Sequence, residues 1–115
     1  MKYLVMIYAS EAEEAKIKPE ERGKMMQAYG AYSEALVKAG AMQGGARLRP
    51  IADATSVRVR NGKTEVLNGP YADTHEQLGG YYLIDVPDHD SALSWAARCP
   101  TSSLGTIEVR PIWEM

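Results

Sequence analysis

The run Asp73-Thr74-His75-Glu76 carries the densest acid–base chemistry in this chain. A histidine two residues from one carboxylate and adjacent to another can be oriented and poised for proton transfer near neutral pH. On a solvated loop the same residues amount to local charge and nothing more. Asp73, His75 and Glu76 also have metal-ligand chemistry, but no second cluster completes a coordination shell, so no metal site is expected. His89 lies between Asp88 and Asp90 at a helix start, where a structural or solvated role is the expectation. Arg47 and Arg49, beside Gly44-Gly45, have the planar fork that clamps anions; exposed loop arginines are the alternative. Cys99 precedes Pro100 with no base beside it, so it reads as a reduced, packed thiol and not as a nucleophile. There is no phosphate loop, nucleophile elbow or Cys-X-X-Cys pair, and no cofactor is implied.

These groups need a scaffold, and the hydrophobic pattern supplies one. Lys2 to Tyr8 is a continuous run of β-formers, as expected of a central strand covered on both faces. Ser10 to Lys18 is charged and reads as a loop. Pro19-Glu20-Glu21 starts a helix, with proline in the first turn and carboxylates at the positive end of the dipole. Met25, Tyr29, Tyr32 and Leu36 recur at helical spacing, Met26 and Val37 widen the stripe, and Gly40 is a C-terminal cap. Gly23 and Gly30 each cost the helix about 1 kcal/mol relative to alanine, and a close helix–sheet contact is the simplest reason to keep them. Ala41 to Asp53 is irregular or a short strand.

Ser56 to Leu67 holds two alternating runs around Asn61-Gly62, a type I′ hairpin signature. The register predicted is Val57 opposite Val66, Arg58 opposite Glu65, Val59 opposite Thr64 and Arg60 opposite Lys63, with one apolar face. Asn68-Gly69-Pro70 is a turn, Tyr71 to Leu78 is polar, and Gly79-Gly80 leads into an apolar strand, Tyr81 to Val86. Asp88 caps a second helix that ends at Cys99-Pro100. Thr106 to Trp113 is a last strand, kept to an edge by Pro111.

The order β, α, hairpin, β, α, β predicts an α+β fold: the ferredoxin-like split βαβ plan with an extra β-hairpin. Two helices cover one sheet face. Leu4, Met6 and Tyr8 then leave the other face apolar, which predicts a homodimer. At 115 residues the chain fits a single domain, residues 1–115, and at 45% hydrophobic it has a globular composition. A net charge of -2 with no concentrated basic face argues against nucleic-acid binding. No apolar stretch approaches the ~20 residues that cross a bilayer, and no export signal is read, so the expectation is a cytoplasmic protein without membrane association. Seven tyrosines and no phenylalanine fit a polar-lined cavity or neutral drift.

Several segments together resemble the DGPF (YCII-related) family. They are Asn68-Gly-Pro-Tyr-Ala-Asp-Thr-His-Glu-Gln-Leu-Gly-Gly-Tyr81, the opening MKYLVMIY, the Pro-Glu-Glu-Arg helix start, the segment from Gly44-Gly45 to Pro50, the Val-Arg-Val-Arg hairpin and Trp95-Ala-Ala-Arg-Cys-Pro100. The resemblance implies a fold of the dimeric α/β-barrel type, but no defined reaction. Many relatives are encoded near extracytoplasmic-function sigma factors, which implies a regulatory setting. YCII-branch proteins carry a His and an Asp in a pocket, proposed as an enzyme-like pair. This chain departs there, having no histidine in its first helix, and it has Asn68 and Tyr71 where the motif has Asp and Phe. The expected function is therefore small-molecule binding in a regulatory or accessory role, at a site drawn from Tyr8, Arg47, Asn68, Tyr71, Asp73, His75, Glu76 and Tyr81. The alternatives are a small enzyme using His75, with Asp73, or a tyrosine for acid–base or oxidative chemistry, and a purely structural or protein-interaction module.

Overall fold

The computed structural model describes residues 1–114. Its elements are β1 (Lys2–Ala9), α1 (Glu11–Glu14), α2 (Pro19–Lys38), β2 (Met42–Arg47), β3 (Thr55–Arg60), β4 (Lys63–Asn68), β5 (Gln77–Asp85), α3 (His89–Arg98) and β6 (Thr106–Pro111). The main sheet has the order β2-β5-β1-β6, every neighbouring pair antiparallel. This is the split βαβ plan, with β3 and β4 inserted between β2 and β5 as a separate two-stranded sheet.

Register in the sheet sorts the side chains. Tyr3 pairs with Ile84 and Pro111, and Val5 with Tyr82 and Val109, so one face carries Tyr3, Val5, Ile7, Ile84, Ile107 and Val109. Against it pack Tyr32 and Leu36 of α2 and Ala92 of α3, all buried, with Tyr29 and Trp95 partly so. Tyr32 meets Tyr82 and Trp95 edge-on at 5.4 and 6.0 Å, a favoured aromatic geometry. Cys99 is a free thiol, 1% exposed, within this core.

The tyrosine hydroxyls here find partners inside the chain. Tyr32 donates to the Trp95 carbonyl at 2.7 Å, and Tyr82 shares a hydrogen bond with Ser33 at 2.8 Å. Tyr29 bonds Thr101 and lies 3.5 Å from the Cys99 sulfur. These bonds tie α2 to α3 and to the turn after it.

Several local expectations need correction. Ser10 to Lys18 is not all loop: the Ser10 hydroxyl accepts from the Glu13 amide and caps the short helix α1. The apolar stripe of α2 is narrower than expected, because Met26 and Val37 point to solvent at 68% and 61% exposure. Nothing approaches Gly23 or Gly30 closely, so helix–sheet contact does not explain them, and nothing else in the structure does. The strand expected from Tyr81 begins at Gln77, and β6 ends at Pro111. The hairpin register is as expected at all four pairs, with Asn61 and Gly62 both at positive φ and Arg58 bonded to Glu65 at 2.8 Å.

Gly105 is dictated by close approach. A Cβ on Gly105 would lie 2.1 Å from the Tyr8 carbonyl oxygen, at the point where β6 starts beside β1. Gly105→Ala must move backbone, and is expected to cost about 2–3 kcal/mol in urea denaturation; a loss under ~0.5 kcal/mol would show that the contact yields without strain.

Burial, above all, raises the Tyr29 and Tyr32 phenols well beyond their ordinary range; Thr101 opposes this at Tyr29, while Cys99 adds to it at both. An unfolded tyrosine ionises near 10. Above that pH the unfolded chain sheds protons that the folded chain keeps, so stability is full below pH ~10 and falls as pH rises further. Urea midpoints measured from pH 8 to 11.5 should drop only above ~10, and the drop should be shallower in a Tyr29→Phe/Tyr32→Phe variant.

Candidate functional site

The sheet face turned away from the helices collects Tyr8, Glu76 and Tyr81 of the candidate residues, while hollows lie elsewhere, beside α2 and the end of α3 (Met25, Tyr32, Arg98, Pro100) and beside Arg110 and Trp113. By register, Leu4 pairs with Leu83 and Arg110, Met6 with Tyr81 and Glu108, and Tyr8 with Leu78 and Thr106. A bulge between Ile7 and Tyr8 places an extra β5 residue, Gly79, opposite β1, and bulges re-aim side chains at the ends of sheets. Gly44 and Ala46 of β2 stand beside Leu83 and Tyr81. Leu4, Tyr8, Leu78, Tyr81 and Leu83 are all half-buried and Met6 is 8% exposed. The floor is thus apolar, with small residues along the β2 side and a charged pair, Glu108 and Arg110, along β6.

Polar groups gather at the bulged end. The Thr106 hydroxyl donates to the Glu76 carboxylate at 2.8 Å, and Thr106 sits directly across from Tyr8. Gln77 fixes the neighbouring loop: its amide donates to the Thr74 carbonyl at 2.6 Å, and its carbonyl oxygen accepts from the Glu11 amide at 2.8 Å. The Thr74 hydroxyl donates to the Glu76 carbonyl at 2.6 Å. Loop, strand start and α1 therefore hold one another.

Of the residues expected at a site, Tyr8, Glu76 and Tyr81 converge at this end of the face. The others do not join them here. Asp73 and His75 are both exposed, and their side chains make no hydrogen bond to each other. Tyr71 is 80% exposed. Asn68 ends β4 opposite Thr55, and Arg47 ends β2 opposite Gly80. Arg47 is exposed, and Arg49 is exposed with its guanidinium 2.9 Å from Asp53. His89 opens α3, its ring 5.7 Å from Tyr3.

Residues absent from the expected set are Leu4, Met6, Leu78, Leu83, Thr106, Glu108 and Arg110. Alternation in β1 and β6 was the signal available for most of them. The Thr106–Glu76 contact, 30 residues apart in the chain, had no local signature.

With this geometry in view, the YCII-related domain matches residues 1–115. The chain belongs to the YCII-related family. An uncharacterized protein of Rhizobium meliloti (strain 1021) is 38% identical over 114 residues, spanning 97% of this chain and 92% of that protein. Among solved structures, 5-chloro-2-hydroxyhydroquinone dehydrochlorinase from Burkholderia phenoliruptrix AC1100, in complex with 2,5-dihydroxybenzoquinone, superimposes with a TM-score of 0.56. The match covers 99% of this chain and 94% of that one at 17% identity, a likeness of fold. The YCII-related fold agrees with the ferredoxin-like topology found here. No described helix is long and apolar enough to cross a membrane.

Two substitutions separate the anchored end of the loop from its exposed part. Thr106→Val should cost about 1 kcal/mol, the loss of a hydrogen bond to a carboxylate, and should do nothing further in a Glu76→Ala background. His75→Ala should change stability by less than ~0.5 kcal/mol. Urea midpoints of the natural chain and the four variants check both statements, and an additive effect of Thr106→Val and Glu76→Ala would mean that the two side chains act apart.

Proposed function

We propose that this YCII-related protein binds a small molecule on the open sheet face, in a regulatory or accessory role, and that a second copy closes the face into a cavity. One observation carries the reading. Among the described residues, the tyrosines on the helix side have oxygen, sulfur or ring partners within the chain, whereas Tyr81 has no hydrogen-bond partner and Tyr8 only the Met6 sulfur at 4.0 Å. Both hydroxyls stand over an apolar floor, as do the ring edges and few polar groups that fix a ligand's orientation in small-molecule sites. A planar, oxygen-bearing molecule suits such a floor. The relative solved with 2,5-dihydroxybenzoquinone holds a molecule of this class on the same fold.

The second copy follows from area. A four-stranded face this apolar is stable when covered, and the partner that matches in stoichiometry is the chain itself. Glu108 and Arg110, two apart on β6, are self-complementary across a two-fold axis. In this reading Asp73 and His75 stand at the rim, three and one residues from Glu76 along the chain, with Asn68, Tyr71 and Arg47 further out. Asp73 would orient His75 only after the loop closes over a ligand.

An enzyme doing acid–base chemistry on the same face is the alternative. It is favoured by the Glu76 carboxylate beside Tyr8, a base placed where a phenolic ligand would lie. Turnover of a hydroxylated aromatic by the purified protein, abolished in Glu76→Gln, would move the assignment to that class.

Native mass spectrometry of protein purified from its own host tests the binding reading. The expected result is a dimer that retains a small molecule, with Tyr8→Phe/Tyr81→Phe losing the retained mass while keeping its melting temperature. A bare monomer at micromolar concentration overturns it.

A further inference from the structure

The hairpin β3–β4 stands apart from the main sheet, and its valine face is uncovered. Val57, Val59 and Val66 share that face by register and are 62%, 57% and 62% exposed. The opposite face is held by the Arg58–Glu65 ion pair and carries Arg60 and Lys63. A lone two-stranded hairpin is at best marginally stable in water, so three exposed valines on one are a surface built to be covered. The molecule's extents, 48 × 44 × 18 Å, and its 16.1 Å radius of gyration show the same thing, since a compact chain of this length has a radius of about 13 Å.

Among the described residues, the most exposed apolar side chain, Trp113, does not supply the cover. The hairpin leaves the sheet where β2 ends and β5 begins, on the β2 edge. Trp113, 89% exposed, lies past the end of β6. Because β6 is the opposite edge strand and runs antiparallel to β1, Trp113 is at the far edge and the far end of the sheet. Trp113 and the hairpin of one chain therefore do not meet, and both are open to a second copy.

We infer that the β3–β4 hairpin is an arm that packs its valine face on a second copy of this chain, enlarging the interface that the open sheet face begins. The inference rests on the dimer put forward above, and area supports it. Strand spacing of ~4.8 Å and a rise of ~3.3 Å per residue give the open face a planar footprint of roughly 450 Å² and the arm roughly 200 Å² more. Side-chain relief makes accessible area larger than footprint. Against the ~800 Å² per partner of a standard stable interface, the bare sheet footprint supplies roughly half and face plus arm about four-fifths before side-chain relief is counted. Identical chains supply one arm and one acceptor each, as a closed two-fold pair requires.

The test uses the full chain with Val57→Ser, Val59→Ser and Val66→Ser combined, changes that touch nothing in the four-stranded core. Sedimentation equilibrium should show a dimer for the natural chain and at least tenfold weaker association for the variant, with the near-ultraviolet dichroism of the core aromatics unchanged. In the natural chain, hydrogen exchange of amides in 55–68 should slow as protein concentration rises through the dimerisation range. A natural chain that is monomeric at micromolar concentration overturns the dimer and the arm together. A dimer whose affinity survives the three substitutions, or whose hairpin amides exchange at the same rate at every concentration, overturns the arm alone. Should the variant lose its core dichroism, the exchange measurement on the natural chain decides.

Discussion

The antiparallel pairing of β1 with β5 sets both faces of the sheet at once. Val5 opposite Tyr82 and Tyr3 opposite Ile84 point to the helices, and the alternate pairs, Leu4 with Leu83 and Met6 with Tyr81, point away. A slip of one residue would exchange the two sets and put the core tyrosines in water. The register is held because the helix side accepts only the first set: Tyr32, Leu36 and Ala92 leave no room for another. The bulge at Ile7/Tyr8 is the one departure, and it lies beyond the last core pair, where it shifts the polar end of the face without disturbing the packing.

Two helices cannot cover both sides of four strands. The choice of covered side leaves Leu4, Met6, Leu78, Tyr81 and Leu83 as a second apolar layer on the side away from the helices. The same imbalance recurs in the hairpin, where correct turn chemistry and correct register produce a valine face that no other part of the chain meets. The strand, turn and cap chemistry is locally satisfied and still leaves two exposed apolar surfaces, which is the condition under which association contributes to stability.

Legibility followed the range of the interactions. The hairpin was readable to the residue because Asn61-Gly62 fixes turn type, loop length and register together, all within a dozen positions. The helix start at Pro19 and the Asp88 cap were readable for the same reason: each depends on its immediate neighbours. The Ser10 cap obeys that rule too, but a charged, alanine-containing stretch around four helical residues gives almost no periodicity to see. The site was only half visible. Tyr8, Glu76 and Tyr81 could be picked out by type, but their convergence depends on Thr106, which reaches Glu76 only after β6 has folded beside β1. Asp73 and His75 had the stronger local signature, yet side-chain direction on a loop is set by what anchors its ends. Here Glu76 and Gln77 do the anchoring, and their neighbours remain exposed.

The distribution of tyrosine partners links packing to function. On the helix side, hydroxyls of Tyr29, Tyr32 and Tyr82 meet Thr101, the Trp95 carbonyl and Ser33, and among the described residues no buried side-chain oxygen or nitrogen is left without a partner. On the open side, water satisfies Tyr8, Tyr81 and the free oxygen of Glu76 only while the face is exposed. Covering it with an apolar surface would strand two hydroxyls and a carboxylate, at about 1–3 kcal/mol for each unsatisfied neutral group and more for a charge. Such a cover would forfeit much of what burying five apolar side chains contributes. The apolar floor and the polar end are reconciled when the covering layer encloses something bearing oxygens of its own. Phenylalanine at Tyr8 and Tyr81 would have made a better dry interface, and this chain contains none.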